Sequence, residues 1–338
     1  MKQVELPAVL VTGGGGFVAG WCIVELLRRG HRVRTTVRSR AREAAIRGAI
    51  ARQVDAGDRL EFVIADLTKD EEWDRAVEGC VYVLHVASPL GGEAADHPAA
   101  LIAPAVEGTR RVLRAAVRAG ATRIVMTSAA AAARPPLDSN RSSDESTWAD
   151  STDPQFDSYR VSKILAERAA WDAMSELGAT DRLTTILPGA VFGPVLSKAN
   201  LGSVGIIQRL LDGRPPLLPR LGFAVVDVRD LAELHVRAMT STGAAGQRFL
   251  ATGEFMWMEE IARILKTELG ARAARVPSRR MPNIVFRLAA ALTPGLRSLS
   301  PLLGRMLPVK AEKARQLLHF APRPASTTIV DTAASLIE

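Results

Sequence analysis

Four consecutive glycines, Gly13–Gly16, stand between a short apolar run, Val9–Thr12, and a helical stretch, Phe17–Arg29, that stops at Gly30. Residues without a Cβ let a chain turn sharply out of a strand, and they let backbone N–H groups at a helix start approach a pyrophosphate. Gly13, Gly16 and Ala19 give the spacing G-x-x-G-x-x-A, while the run also fits a G-x-G-x-x-A frame, so spacing alone leaves the register open. Lying between strand and helix, the run predicts a dinucleotide site. No G-K-[ST] follows it, which excludes a P-loop.

The rest of the first half alternates in the same way. Apolar or alternating runs at Val33–Arg38, Leu60–Ala65, Val81–Ala87, Arg123–Ser128 and Leu183–Leu187 read as strands. Helical periodicity covers Ala41–Val54, Leu101–Ala119 and Tyr159–Leu177, and Thr68–Glu71 has the spacing of a capping box before a helix ending near Glu78. Strands alternating with helices predict an α/β fold, a doubly wound parallel sheet of the Rossmann type. Beyond Pro188 prolines cluster and the pattern loosens. Short strands are expected at Val225–Val228 and Arg248–Ala251, and helices at Leu231–Met239, Met258–Leu269, Ile284–Leu292 and Lys310–Leu318. The expected organisation is a dinucleotide-binding domain over 1–190, with 224–253 returning to it. A smaller, mostly helical substrate domain would then comprise 191–223 and 254–338.

With 47% hydrophobic and 24% charged residues in 338, whole-chain disorder is excluded. No apolar stretch reaches the ~18 residues of a transmembrane helix, so no membrane insertion is expected. The opening, with Lys2 and Glu5 ahead of a short apolar run, does not read as a signal peptide. Cys22 and Cys80 sit in apolar periodic segments, which points to a reducing, cytoplasmic compartment. The five histidines show no ligand spacing, so no metal is expected. The net charge is +8, and from Arg272 to Arg323 eleven Lys or Arg face one acid, Glu312. No nucleic-acid motif accompanies that stretch, which reads as a solvated basic face.

Two positions carry chemistry. The second strand ends Thr35-Thr36-Val37-Arg38-Ser39-Arg40, without the carboxylate that binds a ribose 2′-hydroxyl in NAD sites. A guanidinium there can hold a 2′-phosphate instead, so NADP(H) is the expected cofactor. Further on, Tyr159 and Lys163 lie four residues apart, on one helix face, in a chain with only two tyrosines. An ammonium beside a phenol favours phenolate, so Lys163 is expected to lower the Tyr159 pKa and make it a usable proton donor to a carbonyl oxygen.

With these motifs in place the chain resembles the extended short-chain dehydrogenases/reductases of the dihydroflavonol 4-reductase, cinnamoyl-CoA reductase and bacterial aldehyde reductase type. The resemblance runs over nearly the whole length, through Thr12–Ala19, Asp66–Thr68, His85–Pro89, Val106–Thr109, Asp144–Trp148, Tyr159–Lys163, Pro188–Pro194 and Val226–Asp230. It implies that Gly13, Gly16, Phe17 and Val18 form the dinucleotide turn and that Arg38 takes the 2′-phosphate. By the same resemblance Asp66 and Leu67 contact the adenine, and Val86, Ala87 and Ser88 line the cofactor. Pro188 to Val191 would hold the nicotinamide carboxamide, and Lys163 the nicotinamide ribose. His85 reads as a strand residue of the family.

One departure stands out. The family's fifth strand ends Thr-Ser-Ser and uses the second serine to orient the substrate carbonyl, whereas here Thr127-Ser128 is followed by Ala129. Alternation sends Ser128 to the opposite face from residue 129. Ser128 is therefore a tentative catalytic residue beside Tyr159 and Lys163. The expected activity is an NADP(H)-dependent reduction of an aldehyde or ketone to an alcohol, or the reverse, on a small molecule, by a monomer or homodimer. The same fold also admits a sugar-nucleotide epimerase or dehydratase and a 3β-hydroxysteroid dehydrogenase. Ala129 leaves open a non-catalytic NADP(H)-sensing protein.

Overall fold

In the computed structural model the described residues are 6–89, 98–139, 141–197 and 201–337. Met1–Glu5, read above against a signal peptide, lie outside them. The strands are β1 (Ala8–Val11), β2 (Val33–Val37), β3 (Leu60–Ile64), β4 (Cys80–His85), β5 (Arg123–Thr127), β6 (Leu183–Pro188), β7 (Ala190–Phe192), β8 (Gly222–Asp227), β9 (Gln247–Ala251) and β10 (Phe255–Trp257). Seven of them form one parallel sheet in the order β3-β2-β1-β4-β5-β6-β9. The expected doubly wound sheet is present. β1 is buried in its centre, with Val9, Leu10 and Val11 fully covered, which is why that run reads as continuously apolar.

Helices cover both faces. α1 (Phe17–Arg28) and α2 (Glu43–Ala51) pack on one, α3 (Trp73–Val77), α4 (Pro98–Arg118) and α5 (Ser158–Glu176) on the other. α6 (Val204–Leu211) belongs to the smaller unit, and α7 (Val228–Thr240) joins α1. The remaining helices are α8 (Met258–Leu269), α9 (Asn283–Leu292), α10 (Pro294–Arg297), α11 (Glu312–Leu318) and α12 (Ala325–Ile337). The strand order reverses between β1 and β4, and there the crevice opens at the carboxyl ends of the strands.

The second layer of organisation is a three-stranded sheet, β10-β8-β7, whose core joins Phe192, Val225 and Met256 to apolar residues of α6, α8 and α12. The segment 224–253 divides between the two units: β9 is the seventh strand of the large sheet and α7 packs against α1, while β8 pairs with β7 and β10. Among the described residues no helix is long and apolar enough to cross a membrane.

The capping box expected at Thr68–Glu71 is absent. The Thr68 N–H and hydroxyl both donate to Asp66 Oδ1, at 2.9 and 2.8 Å, forming an Asx turn, and the helix starts only at Trp73 after Glu72 takes φ 76°. A carboxylate two residues back outcompeted the helix for the threonine.

Candidate active site

The glycine run is held from three sides. Gly13 takes φ 76°, its N–H donates to Thr36 Oγ1 at 2.8 Å, and the Gly16 N–H donates back to the Gly13 carbonyl at 2.8 Å. A Cβ on Gly14 would lie 2.3 Å from Thr35 Oγ1. Gly13 therefore needs its conformation and Gly14 its missing side chain, so the G-x-x-G frame and the extra glycine are both in use. Thr12 pins the floor: its hydroxyl accepts from the N–H groups of Val86 and Ala87 at 3.0 and 2.9 Å. These bonds set the end of β4 beside the turn.

From that turn a single cleft of about 1390 Å³ runs across the carboxyl edge of the sheet. Every candidate cofactor-binding and catalytic residue named from the resemblance lies on it. Gly13, Gly16, Phe17 and Val18 form the β1–α1 turn, and Arg38 ends β2. Asp66 and Leu67 follow β3, and Val86, Ala87 and Ser88 follow β4. Tyr159 and Lys163 stand on α5, Pro188 closes β6, and Val191 lies on β7. Burial resists ionisation of Asp66, but the two Thr68 hydrogen bonds, with Arg38 and Lys69, hold its carboxyl below the usual range. Arg42, close behind the end of β2, reaches over Gly15, where a Cβ would lie 3.4 Å from its guanidinium carbon. The end of the cleft beside β2 thus presents two guanidinium groups, Arg38 and Arg42.

Asp157 starts α5: its carboxylate accepts from the Arg160 N–H at 2.8 Å, a side-chain N-cap, and pairs with the Arg160 guanidinium at 2.6 Å. One turn of helix then brings Tyr159 and Lys163 to the cleft. Lys163 is buried and its Nζ donates to the Thr127 carbonyl at 3.4 Å. Burial lowers its pKa to about 8, against the opposing attraction of Glu167. For Tyr159 an effect opposed to the expected lowering is present. Desolvation, with Asp157 adding to it and Arg160 opposing, pushes the phenol pKa up, although the residue is 37% exposed at the cleft. A phenol that keeps its proton at neutral pH is a donor, not a phenolate.

The end of β5 also corrects the tentative role of Ser128. Its hydroxyl donates to Glu167 Oε2 at 2.6 Å and the residue is only 2% exposed, so this hydroxyl is committed to the core beneath the cleft. Thr127 is equally committed, its Oγ1 lying 2.7 Å from His235 Nε2. Ala129 follows in extended conformation and lines the cleft with no hydroxyl to offer. His85 is structural: it lies between Thr12 Oγ1 at 3.0 Å and Thr109 Oγ1 at 3.3 Å, and burial, with the Lys163 charge, pushes its pKa down to about 3.

Under α5 lies a network that sequence reasoning missed. The fully buried Glu167 accepts from Ser128, from Thr185 Oγ1 at 2.8 Å and from Arg248 Nε at 2.9 Å. Arg248 in turn donates to the carbonyls of Glu145 and Thr147 and stacks 3.7 Å from the Trp148 ring centre. Four residues separate Glu167 from Lys163, one helical turn. That spacing was the available signal, but an acid in a helix reads first as a surface group.

Fold and cleft define a protein of the extended short-chain dehydrogenase/reductase architecture. The chain belongs to the NAD dependent epimerase/dehydratase family, whose profile matches residues 9–251. It is 34% identical over 274 residues to cinnamoyl-CoA reductase 1 of Petunia hybrida, covering 78% of each chain. It is 32% identical over 298 residues to the ketoreductase azaE of Aspergillus niger, covering 81% of this chain and 86% of the relative. Among solved structures, yeast methylglyoxal/isovaleraldehyde reductase Gre2 complexed with NADPH superposes with a TM-score of 0.79 at 25% identity, over 98% of both chains. The relatives are reductases, and the chain is an oxidoreductase of this type.

Proposed function

We propose that this protein is an NADP(H)-dependent reductase of aldehydes or ketones, working in either direction between carbonyl and secondary or primary alcohol. The observation that carries the reading is the convergence of Tyr159 and Lys163 on the cleft that begins at the glycine turn. The cleft fits the cofactor. Gly14 is pressed where a side chain would strike Thr35, the α1 N-terminus opens beside it, and no acid stands at the end of β2. Arg38 and Arg42 would hold the 2′-phosphate, Asp66 and Leu67 the adenine, and Lys163 the nicotinamide ribose. When bound, the nicotinamide supplies the hydride.

This chain's own residues do the rest. Tyr159 donates its phenol proton to the carbonyl oxygen of the substrate. Pro188 and Val191 also line the cleft, and apolar residues of the smaller unit, among them Phe286, Leu299 and Leu302, help close it against water. Both cysteines are unpaired and buried, in keeping with a reducing cytoplasm. The test is NADPH absorbance on adding a panel of aldehydes and ketones; no oxidation with any of them would overturn the reading.

Ala129 favours a second reading, a protein that binds NADP(H) without turnover, because the hydroxyls of both Thr127 and Ser128 are engaged elsewhere. Cofactor binding with no turnover on the panel would select it.

A further inference from the structure

Arg134 lies on the wall of the cleft, at the end of the short 3-10 helix Ala130–Ala133 that follows Ala129. It is 7% exposed, and among the described residues its Nε and Nη2 have no hydrogen-bond partner. The guanidinium stacks 3.8 Å from the Phe156 ring centre, which orients it but satisfies none of its N–H groups. Its neighbours give little compensation. Arg160 is a like charge and is itself paired with Asp157, and Asp153 and Asp157 act on Arg134 only at a distance. A buried guanidinium with idle donors costs the fold free energy unless something arrives to meet them.

What would arrive is anionic. Besides Arg134, the substrate half of the cleft presents Arg160, Arg209, Arg214 and Arg305, and its one carboxylate among the described lining residues is Asp157. A planar fork of N–H donors matches a carboxylate bidentately. The cleft-lining residues Ala129–Ala131, just ahead of Arg134 in the chain, carry no polar side chain, so they suit the aliphatic or aromatic body of a substrate.

We propose that Arg134 is a specificity-determining residue and that the substrates are oxo acids, with the carboxylate on Arg134 and the reacting carbonyl at Tyr159. The inference rests on the reductase reading for its second half. Its first half, an anion subsite at Arg134, stands apart from turnover.

The experiment pairs γ- and δ-oxo acids with their methyl esters, in wild type, Arg134→Gln and Arg134→Lys. Both NADPH oxidation and calorimetric binding are followed. The acids should exceed their esters in kcat/KM by about ten- to a hundredfold. Arg134→Gln should erase that advantage while leaving the esters within about twofold, and Arg134→Lys should keep part of it. Esters turned over with acids no better would overturn the subsite and leave the reductase standing. Arg134-dependent binding of the acids without any turnover would sustain the subsite and sink the reductase. Absence of both binding and turnover of the acids would overturn the subsite, and so would equal competition by inorganic phosphate. A melting scan separates packing from recognition. Arg134→Gln should melt at or above wild type; a lower melting point with all substrates impaired alike would make Arg134 a packing residue and overturn the proposal.

Discussion

Thr127 and Ser128, adjacent at the end of β5, send their hydroxyls to opposite faces of the sheet: Thr127 to His235 of α7, Ser128 to Glu167 of α5. Neither is left for the cleft, and the next side chain in line is the methyl of Ala129. The strand therefore delivers structure at the two positions where hydroxyls exist and nothing polar at the third.

Ala129→Ser should raise turnover on simple ketones by about tenfold or more, because one positioned donor at a developing oxyanion is worth about 10²–10³-fold where it has been removed. NADPH affinity should not change. Ser128→Ala should act on stability instead, costing about 1–3 kcal/mol by taking a donor from a buried carboxylate. Measuring kcat and the urea midpoint of both variants decides the matter. A collapse of kcat on Ser128→Ala, with no gain from Ala129→Ser, would mean that Ser128 is the working hydroxyl after all.

Tyr159→Phe should bind NADPH as wild type does and lose about 10²–10⁴-fold in turnover, since the ring still packs and only the proton donor is gone. Steady-state kinetics beside a cofactor titration checks it. Wild-type turnover in this variant would remove Tyr159 from the chemistry.

NADPH should bind more tightly than NADH, and Arg38→Ala should narrow the gap by about ten- to a hundredfold, the worth of a charge-assisted pair to phosphate. Arg42 at the same end means the gap should close fully only when both arginines are replaced. Equal affinities in wild type would refute the assignment.

Acid should unfold the protein through two buried histidines. Desolvation, with the Lys163 charge, holds His85 down to about 3, and desolvation, opposed by the Leu231 carbonyl, holds His235 down to about 4. Both are neutral in the fold and gain a proton only on unfolding. The stability they confer is complete above the unfolded pKa of about 6.5, and it is lost as pH falls toward the folded values, a few kcal/mol in all. Urea midpoints measured down the scale from pH 6.5 should fall, and His235→Gln should flatten the fall. A midpoint unchanged to about pH 4 would contradict this.

Much of the fold could be read in advance because the large sheet is covered on both faces, and such strands write themselves as apolar runs between glycine and proline stops. The smaller unit was harder. β7 and β10 are three residues each, too short for a period, and α12 is rich in Ala, Ser and Thr, which signal no single state. The cleft residues were legible because glycines, a Tyr–Lys pair and a missing acid are local facts. Arg134 and the Glu167–Arg248 pair were not, since each draws its meaning from partners far along the chain or from having none among the described residues.

The buried pair also bears on how this protein can be cut and recombined. Glu167 sits on the helix that carries Tyr159 and Lys163, yet its counter-charge comes from β9, beyond the whole of β7, α6 and β8 in sequence. A fragment ending near residue 190 would strand a carboxylate in an apolar interior directly beneath the reacting groups, and it should misfold there first. A chimera made to exchange one substrate-binding unit for another must therefore keep 247–251 with the parent that supplies α5. The usable crossover points lie on either side of that strand, not between β6 and β7.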